Sequence, residues 1–348
     1  MVILTIPEEF LNWYGPGSKG QSMAITQRST SPQFIWSDAL HHDAEAHLTF
    51  DEFDVRTAIA RCMQVAYSVP MQIKDVTFQF NDAGHILGSS HILLEYKEKT
   101  VLFSGDIGSE KTPIIRYPFT VWEKSVNAVV IESTGGSRVH KNRTETIAEF
   151  REIVSRTITQ QGVLLIPSFA IGPTQEILYH DEEAFEKMMN GDNPLAFGGL
   201  FFVDSVEQSK ALRTMRPPFI IIAGSGMCNG GKILGHLAHF ISEPDTTVLF
   251  AGWQSHGSPG QTLVDGAPQI TINGKTLPVR AGIETLNGFS AHADRKGLLS
   301  WAHAIPGTQK QWFVNHGEAL QACSLAEALC LELGDQAVAV ERWVKYEV

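Results

Sequence analysis

The chain has 348 residues, a length that holds about two domains at the usual ~100–200 residues each. Hydrophobic residues make up 43% and charged residues 19%, which excludes a disordered or low-complexity chain and supplies enough apolar material for a core. Lys+Arg 27 against Asp+Glu 38 gives a net charge of −11, which excludes a generally basic nucleic-acid coat while allowing a local basic groove.

The opening residues, MVILTIPEEF, lack both a basic leader and a small-residue cleavage site, so no signal peptide is read there. Residues 1–50 are otherwise polar and aperiodic and read as loop. LTFDEFDVRTAIARCM (48–63) reads as a helix with Thr49 as its N-cap and acids in its first turn. From residue 71 the period changes. MQIKDVTFQF and SSHILLEYKEKTVLFSGD alternate apolar and polar positions as half-buried strands do. NAVVIEST (127–134) reads as a strand buried on both faces, TETIAEFREIVSRTITQQG (144–162) as an amphipathic helix stopped by Gly162, and GVLLIPSFA as another buried strand. This order predicts an α/β chain with a parallel component. Residues 175–215 read as helical and charged, and 219–240 as strand, glycine loop and helix. The tail reads as strand WFVNH, helix ALQACSLAEALCLELG and strand AVAVERW.

No apolar run approaches the ~20 residues of a membrane span, and Cys62, Cys228, Cys323 and Cys330 share no CxxC spacing. Free thiols in a reducing, cytoplasmic setting are the expectation.

Chemistry-bearing residues gather where strands end, the usual location of ligand sites in α/β folds. They are His85 between glycines in DAGHILGS, Asp106 in FSGDIG, Glu132 in IEST, His292 in FSAHAD and His316 in VNHGE. Taken singly, a strand-end histidine is an ordinary turn residue and a strand-end aspartate an ordinary cap. Together, imidazoles and a carboxylate meeting at one sheet edge form an N,O donor set suited to zinc. A further His–Glu pair suits acid–base work. His236 and His239 lie one turn apart but read more simply as a polar helix face. The Gly224–Gly231 run has neither GxGxxG after a first strand nor GK[ST], so it does not read as a nucleotide loop, and GSGMC lacks the elbow of a serine nucleophile.

The segments DAGHILGSSHILLEY, VLFSGDIG, VVIESTGG, IIIAGSGMCNGGKI, GFSAHADR and VNHGE, in this order, resemble the β-CASP branch of the metallo-β-lactamase-fold nucleases, from about residue 50 to the C-terminus. The resemblance implies a metallo-β-lactamase-like αββα sandwich, incomplete at the N-terminus, carrying an inserted β-CASP α/β domain. The corresponding divisions are 1–142 and 286–348 for the sandwich and 143–285 for the insert. It implies that His85, Asp106 and His316 are metal ligands, with Asp106 bridging two zinc ions, and that His292 is the general acid supported by Glu132. Ser290, Ser225 and Gly226 would hold the substrate phosphate. The implied activity is hydrolysis of single-stranded RNA, with DNA as an alternative substrate.

One family segment is missing. HxHxDH, which supplies four metal ligands, does not occur in this sequence, and the nearest cluster is His41-His42-Asp43 with His47. Two readings therefore stand: a zinc-dependent nuclease, and a catalytically inactive β-CASP scaffold that binds RNA or a protein partner. Loss of a sheet layer would leave an apolar sheet face open, through which self-association is expected.

Overall fold

The computed structural model describes residues 2–4, 52–60, 62, 65–109, 115–168, 200–203 and 205–347. The chain divides into two compact units, residues 7–67 and residues 1–6 with 68–348. In the first unit the described element is helix α1 (Glu52–Ala60), within the helix expected there. Thr49 and the His41–His47 cluster lie outside the described residues.

The second unit holds two large sheets. One has seven strands in the order β15-β14-β6-β5-β4-β3-β2. Its antiparallel part comprises β2 (Met71–Ile73), β3 (Val76–Asp82), β4 (Ser90–Tyr96) and β5 (Lys99–Phe103). Its parallel part adds β6 (Ala128–Glu132), β14 (Gln311–Asn315) and β15 (Gln336–Ala339). Helices α6 (Arg295–His303) and α7 (Ala319–Leu333) cover one face, where Leu102, Val129, Ile131, Trp301, Trp312 and Leu325 form a core. Asp294 caps α6 by accepting from the Gly297 N–H, and Gly334 ends α7 in the left-handed conformation. On the opposite face the register lines up Phe80, Ile92, Phe103, Val130, Phe313 and Val338. Of this apolar row, Phe103 and Val338 are each 39% exposed and only Phe313 is buried.

The other sheet is wholly parallel, with six strands in the order β13-β10-β7-β9-β1-β8. These are β1 (Val2–Leu4), β7 (Val163–Pro167), β8 (Leu200–Phe202), β9 (Phe219–Ala223), β10 (Thr246–Phe250) and β13 (Gly282–Thr285). Every residue of β7, β9 and β10 is buried, which explains their continuous apolar runs: central parallel strands are covered on both faces. Helix α2 (Arg143–Thr159), capped by the Asn142 side chain, and helix α4 (Lys232–Phe240) pack on this sheet. Between β9 and α4 lies helix-preceding loop 224–231, and α3 (Val206–Ala211) precedes β9. Helix α5 (Pro259–Val264) and the hairpin β11 (Gln269–Ile272) and β12 (Lys275–Pro278) complete this half.

Val2–Leu4, grouped by the sequence reading with the first division and read as loop, pairs between β9 and β8 of the six-stranded sheet. The strand–loop–helix order over 219–240 is as expected. No helix among the described residues is long and apolar enough to cross a membrane. The four cysteines are free, and burial pushes the Cys228 thiol up to about 12.

Candidate metal centre and acid–base pair

Four loops at the carboxyl ends of strands interlock to build the site. The turn after β3 is drawn tight by its own side chains: the Gly84 N–H donates to Asp82 Oδ1, and the His85 and Ile86 N–H groups donate to Ser89 Oγ. The loop after β5 lies directly against it. A Cβ on Gly108 would stand 1.7 Å from the Gly84 carbonyl oxygen, so only glycine permits this approach. The loop before α6 closes the other side, because Ala293 N–H donates to the Ile107 carbonyl and Ser109 N–H to that of Ala291.

This framework brings His85, Asp106 and His292 together, with one donor atom of each lying within 4.8 Å of the others. His85 Nδ1 is 3.1 Å from the Ala291 carbonyl oxygen. A carbonyl only accepts, so Nδ1 carries the proton and Nε2 is left with a lone pair. That Nε2 lies 3.8 Å from Asp106 Oδ2. His316 Nε2 lies 3.2 Å from the other oxygen, Oδ1. The Asp106 carboxylate thus has one imidazole at each oxygen. His316 reaches this position from the end of β14 with a φ of 48°, and its carbonyl accepts from the Ser133 N–H and the Thr134 hydroxyl.

These donors suit a divalent cation. Burial, reinforced by the positive charge of His292, holds the His85 imidazole below its ordinary pKa and so in the neutral form a metal needs. Its ring is oriented by a backbone carbonyl, as metal-bound histidines are. Imidazoles about a shared carboxylate make up an N,O donor set of the kind that holds a divalent metal. Among the described residues, each oxygen of Asp106 is paired with one histidine; with His292 set aside as an imidazolium, this gives two protein donors on each side where catalytic zinc sites use at least three.

The second feature is the His292–Glu132 pair. Glu132, 1% exposed at the end of β6, has both carboxylate oxygens 3.1 Å from His292 Nδ1. It also accepts from the backbone N–H groups of Ile107 and Thr134. Burial alone would raise its pKa, but the His292 hydrogen bond and charge, with the two backbone donors, hold the carboxyl below its usual value. His292 responds in the opposite sense. Burial pulls it down, yet the hydrogen bond and charge of Glu132 and the charge of Asp106 raise it above the ordinary imidazole value. The imidazolium is therefore favoured, with Nδ1 committed to Glu132.

Ser290 lies beside His292, and its Oγ accepts from the His292 N–H. Ser225 and Gly226 sit elsewhere, in the turn after β9. There Ser225 Oγ accepts from the Asn229 N–H, and the Gly226 carbonyl accepts from the buried Gln254 amide. Gln254 adjoins Trp253, which shares a pocket with Ser290 and His292. The His236–His239 pair separates: His236 Nε2 meets Ser209 Oγ and His239 Nε2 meets the Arg213 carbonyl. The sequence reading missed Arg138, His140 and Trp253. The signal available was an Arg-x-His spacing soon after the Glu132 strand end.

Comparison with known proteins identifies the family. Residues 157–263 match the Beta-Casp domain family, and residues 276–340 match the family described as the Zn-dependent metallo-hydrolase RNA specificity domain. A ribonuclease of Thermus thermophilus, TTHA0252, is 31% identical, the match covering 90% of this chain and 79% of that protein. An RNase J-like protein of Methanocaldococcus jannaschii is 29% identical over 89% of this chain and 80% of its own length. The transcription termination factor FttA of the same organism is 26% identical over 81% of this chain, which spans 50% of the factor. The chain belongs to the β-CASP branch of the metallo-β-lactamase-fold nucleases.

Proposed function

We propose that the chain is a metal-dependent phosphodiester hydrolase acting on single-stranded RNA. One observation carries this reading: the Asp106 carboxylate, with an imidazole at each oxygen, lies in the same loop cluster as a histidine whose raised pKa is maintained by Glu132. His85, Asp106 and His316 would hold zinc. Such ions supply an acidified water and charge stabilisation for the pentavalent transition state.

The remaining chemistry is that of the chain's own residues. As water oxygen bonds to phosphorus, the bond to the 3′ oxygen breaks, and His292 delivers a proton to that departing oxygen. The products are a 5′-phosphate and a 3′-hydroxyl. Glu132 keeps the imidazole charged beforehand and fixes its orientation through Nδ1. Ser290, Ser225 and Gly226 are the proposed contacts to the substrate phosphate, small residues that let polar groups approach an anionic oxygen. The names of the relatives support RNA as substrate. The net charge of −11 argues against strong non-specific duplex binding, which depends on released counterions around cationic contacts.

A second reading, a non-catalytic RNA-binding scaffold, is favoured by the donor count of two on each side of Asp106 among the described residues. Elemental analysis with cleavage of an end-labelled single-stranded RNA separates the two. Bound metal with cleavage that falls on His292→Ala supports the hydrolase. Metal-free protein that binds the RNA without cutting it supports the scaffold.

A further inference from the structure

Beside His292 a pocket of about 260 Å³ opens between loops of the two sheets. Its walls include Thr134, Arg138 and His140 from the segment after β6, Trp253 from the segment after β10, and Ser290. The volume falls below the ~300–1,000 Å³ of sites that enclose a drug-sized ligand, so it suits one flat ring system.

The pocket contains a stacked pair. The Arg138 guanidinium carbon lies 3.2 Å from the centroid of the Trp253 ring, at van der Waals contact. The guanidinium covers one face of the indole and pins it by cation–π attraction. Trp253 remains 36% exposed, so part of its ring surface is left open. Behind it the chain is fixed, because the buried Gln254 side chain donates to the Gly226 carbonyl and to the Gly252 and Trp253 carbonyls. His140, also in the pocket wall, is held by its backbone N–H, which donates to Asp294 Oδ2. The result is a rigid, partly open aromatic surface with an adjoining cation, within one pocket of the histidine proposed to protonate the leaving oxygen.

We infer that this pocket holds a nucleobase of the single-stranded RNA next to the reaction centre, stacked on the Trp253–Arg138 pair. Every base has a π face, so such a platform binds RNA without reading its sequence. This inference rests on the RNA-hydrolase reading and adds to it the group that positions the nucleotide.

The test is equilibrium binding in EDTA, which removes metal and cleavage from the readout. The probes are a labelled oligouridylate decamer and a decamer of the same charge lacking every base. Trp253→Ala is expected to weaken oligouridylate binding by about fivefold or more, the lower end of the loss when a stacking aromatic is removed. Trp253→Phe, which keeps a ring, should stay within about twofold of the unaltered protein. On the abasic strand all three proteins should bind alike. Unaltered protein that binds both strands equally, or a Trp253→Ala loss of the same size on both, overturns the pocket and leaves the RNA reading standing. Unaltered protein that fails to bind oligouridylate overturns both.

Discussion

Gly84 and Gly108 meet backbone to backbone: a Cβ on Gly108 would lie 1.7 Å from the Gly84 carbonyl oxygen and 2.8 Å from the His85 nitrogen. The contact also includes a hydrogen bond, from the Gly108 N–H to the Ala83 carbonyl. It locks the turn bearing His85 against the loop bearing Asp106. The geometry of the proposed metal site therefore depends on two residues with no side chain.

Gly108→Ala cannot be accommodated by a rotamer change, since the obstructing atoms are backbone. It is expected to destabilise the fold by about 2–3 kcal/mol, the cost of forcing atoms into a packed interior. Metal affinity should fall with it, because His85 moves away from Asp106. Chemical denaturation and a metal titration check both effects, and a variant as stable as the parent would refute the locking role.

Asp106→Ala removes the carboxylate that both His85 and His316 face. Loss of a residue that merely orients a ligand costs ~10–100-fold in metal affinity, so loss of the shared donor is expected to cost more than about 100-fold. Elemental analysis after dialysis against a defined zinc concentration gives the result. Metal content equal to that of the parent protein would move the binding site elsewhere in the chain.

Glu132→Gln tests the acid. His292 is useful as a proton donor only while protonated, and its pKa is raised because the Glu132 hydrogen bond and charge, with Asp106, outweigh burial. The amide removes the charge and weakens the acceptor, so the His292 pKa falls. The alkaline limb of kcat/KM should shift to lower pH, and the rate at neutral pH should drop by about 10²-fold, the lower end of what general-acid catalysis contributes. An unmoved limb would show that another group donates the proton.

The strand ends were the legible part of this molecule. His85, Asp106, Glu132, His292 and His316 each sit near the end of a strand-like segment and are accompanied by small or turn-forming residues, so chain pattern alone marks them. Their convergence is visible only in three dimensions, as in the 3.1 Å approach of His85 Nδ1 to the Ala291 carbonyl across 206 positions. Arg138 is marked only by its spacing to His140, and Trp253 left no such mark, because a lone aromatic in a loop carries no periodicity. Nor did Val2–Leu4, three residues too short for a period but made a strand by neighbours on both sides. His91 was equally hidden. It falls within the alternating pattern of β4, and its partner Trp301 lies 210 positions away.

His91 gives the fold a pH dependence separate from any chemistry. It is fully buried, its Nδ1 donates to the Ser104 carbonyl, and its Nε2 accepts from the Trp301 indole at 3.1 Å. Burial dominates and pulls its pKa down to about 4, against an ordinary 6.5. The folded chain then keeps the ring neutral while the unfolded chain takes up a proton below pH 6.5. Stability from this group is complete above pH 6.5 and lost as pH falls toward 4, by about 3 kcal/mol at most on ~1.4 kcal/mol per pKa unit. His236, also pulled down to about 4 by burial, adds a loss of the same sign. His91→Gln does not titrate and fits the two hydrogen bonds less well, so it should be less stable than the parent at pH 7 by about 1–3 kcal/mol. Its stability should decline less steeply on acidification, and the two curves should converge near pH 4. Urea unfolding at a series of pH values measures the gap directly, and a gap that stays constant from pH 7 to 4 would show that His91 is not the titrating group.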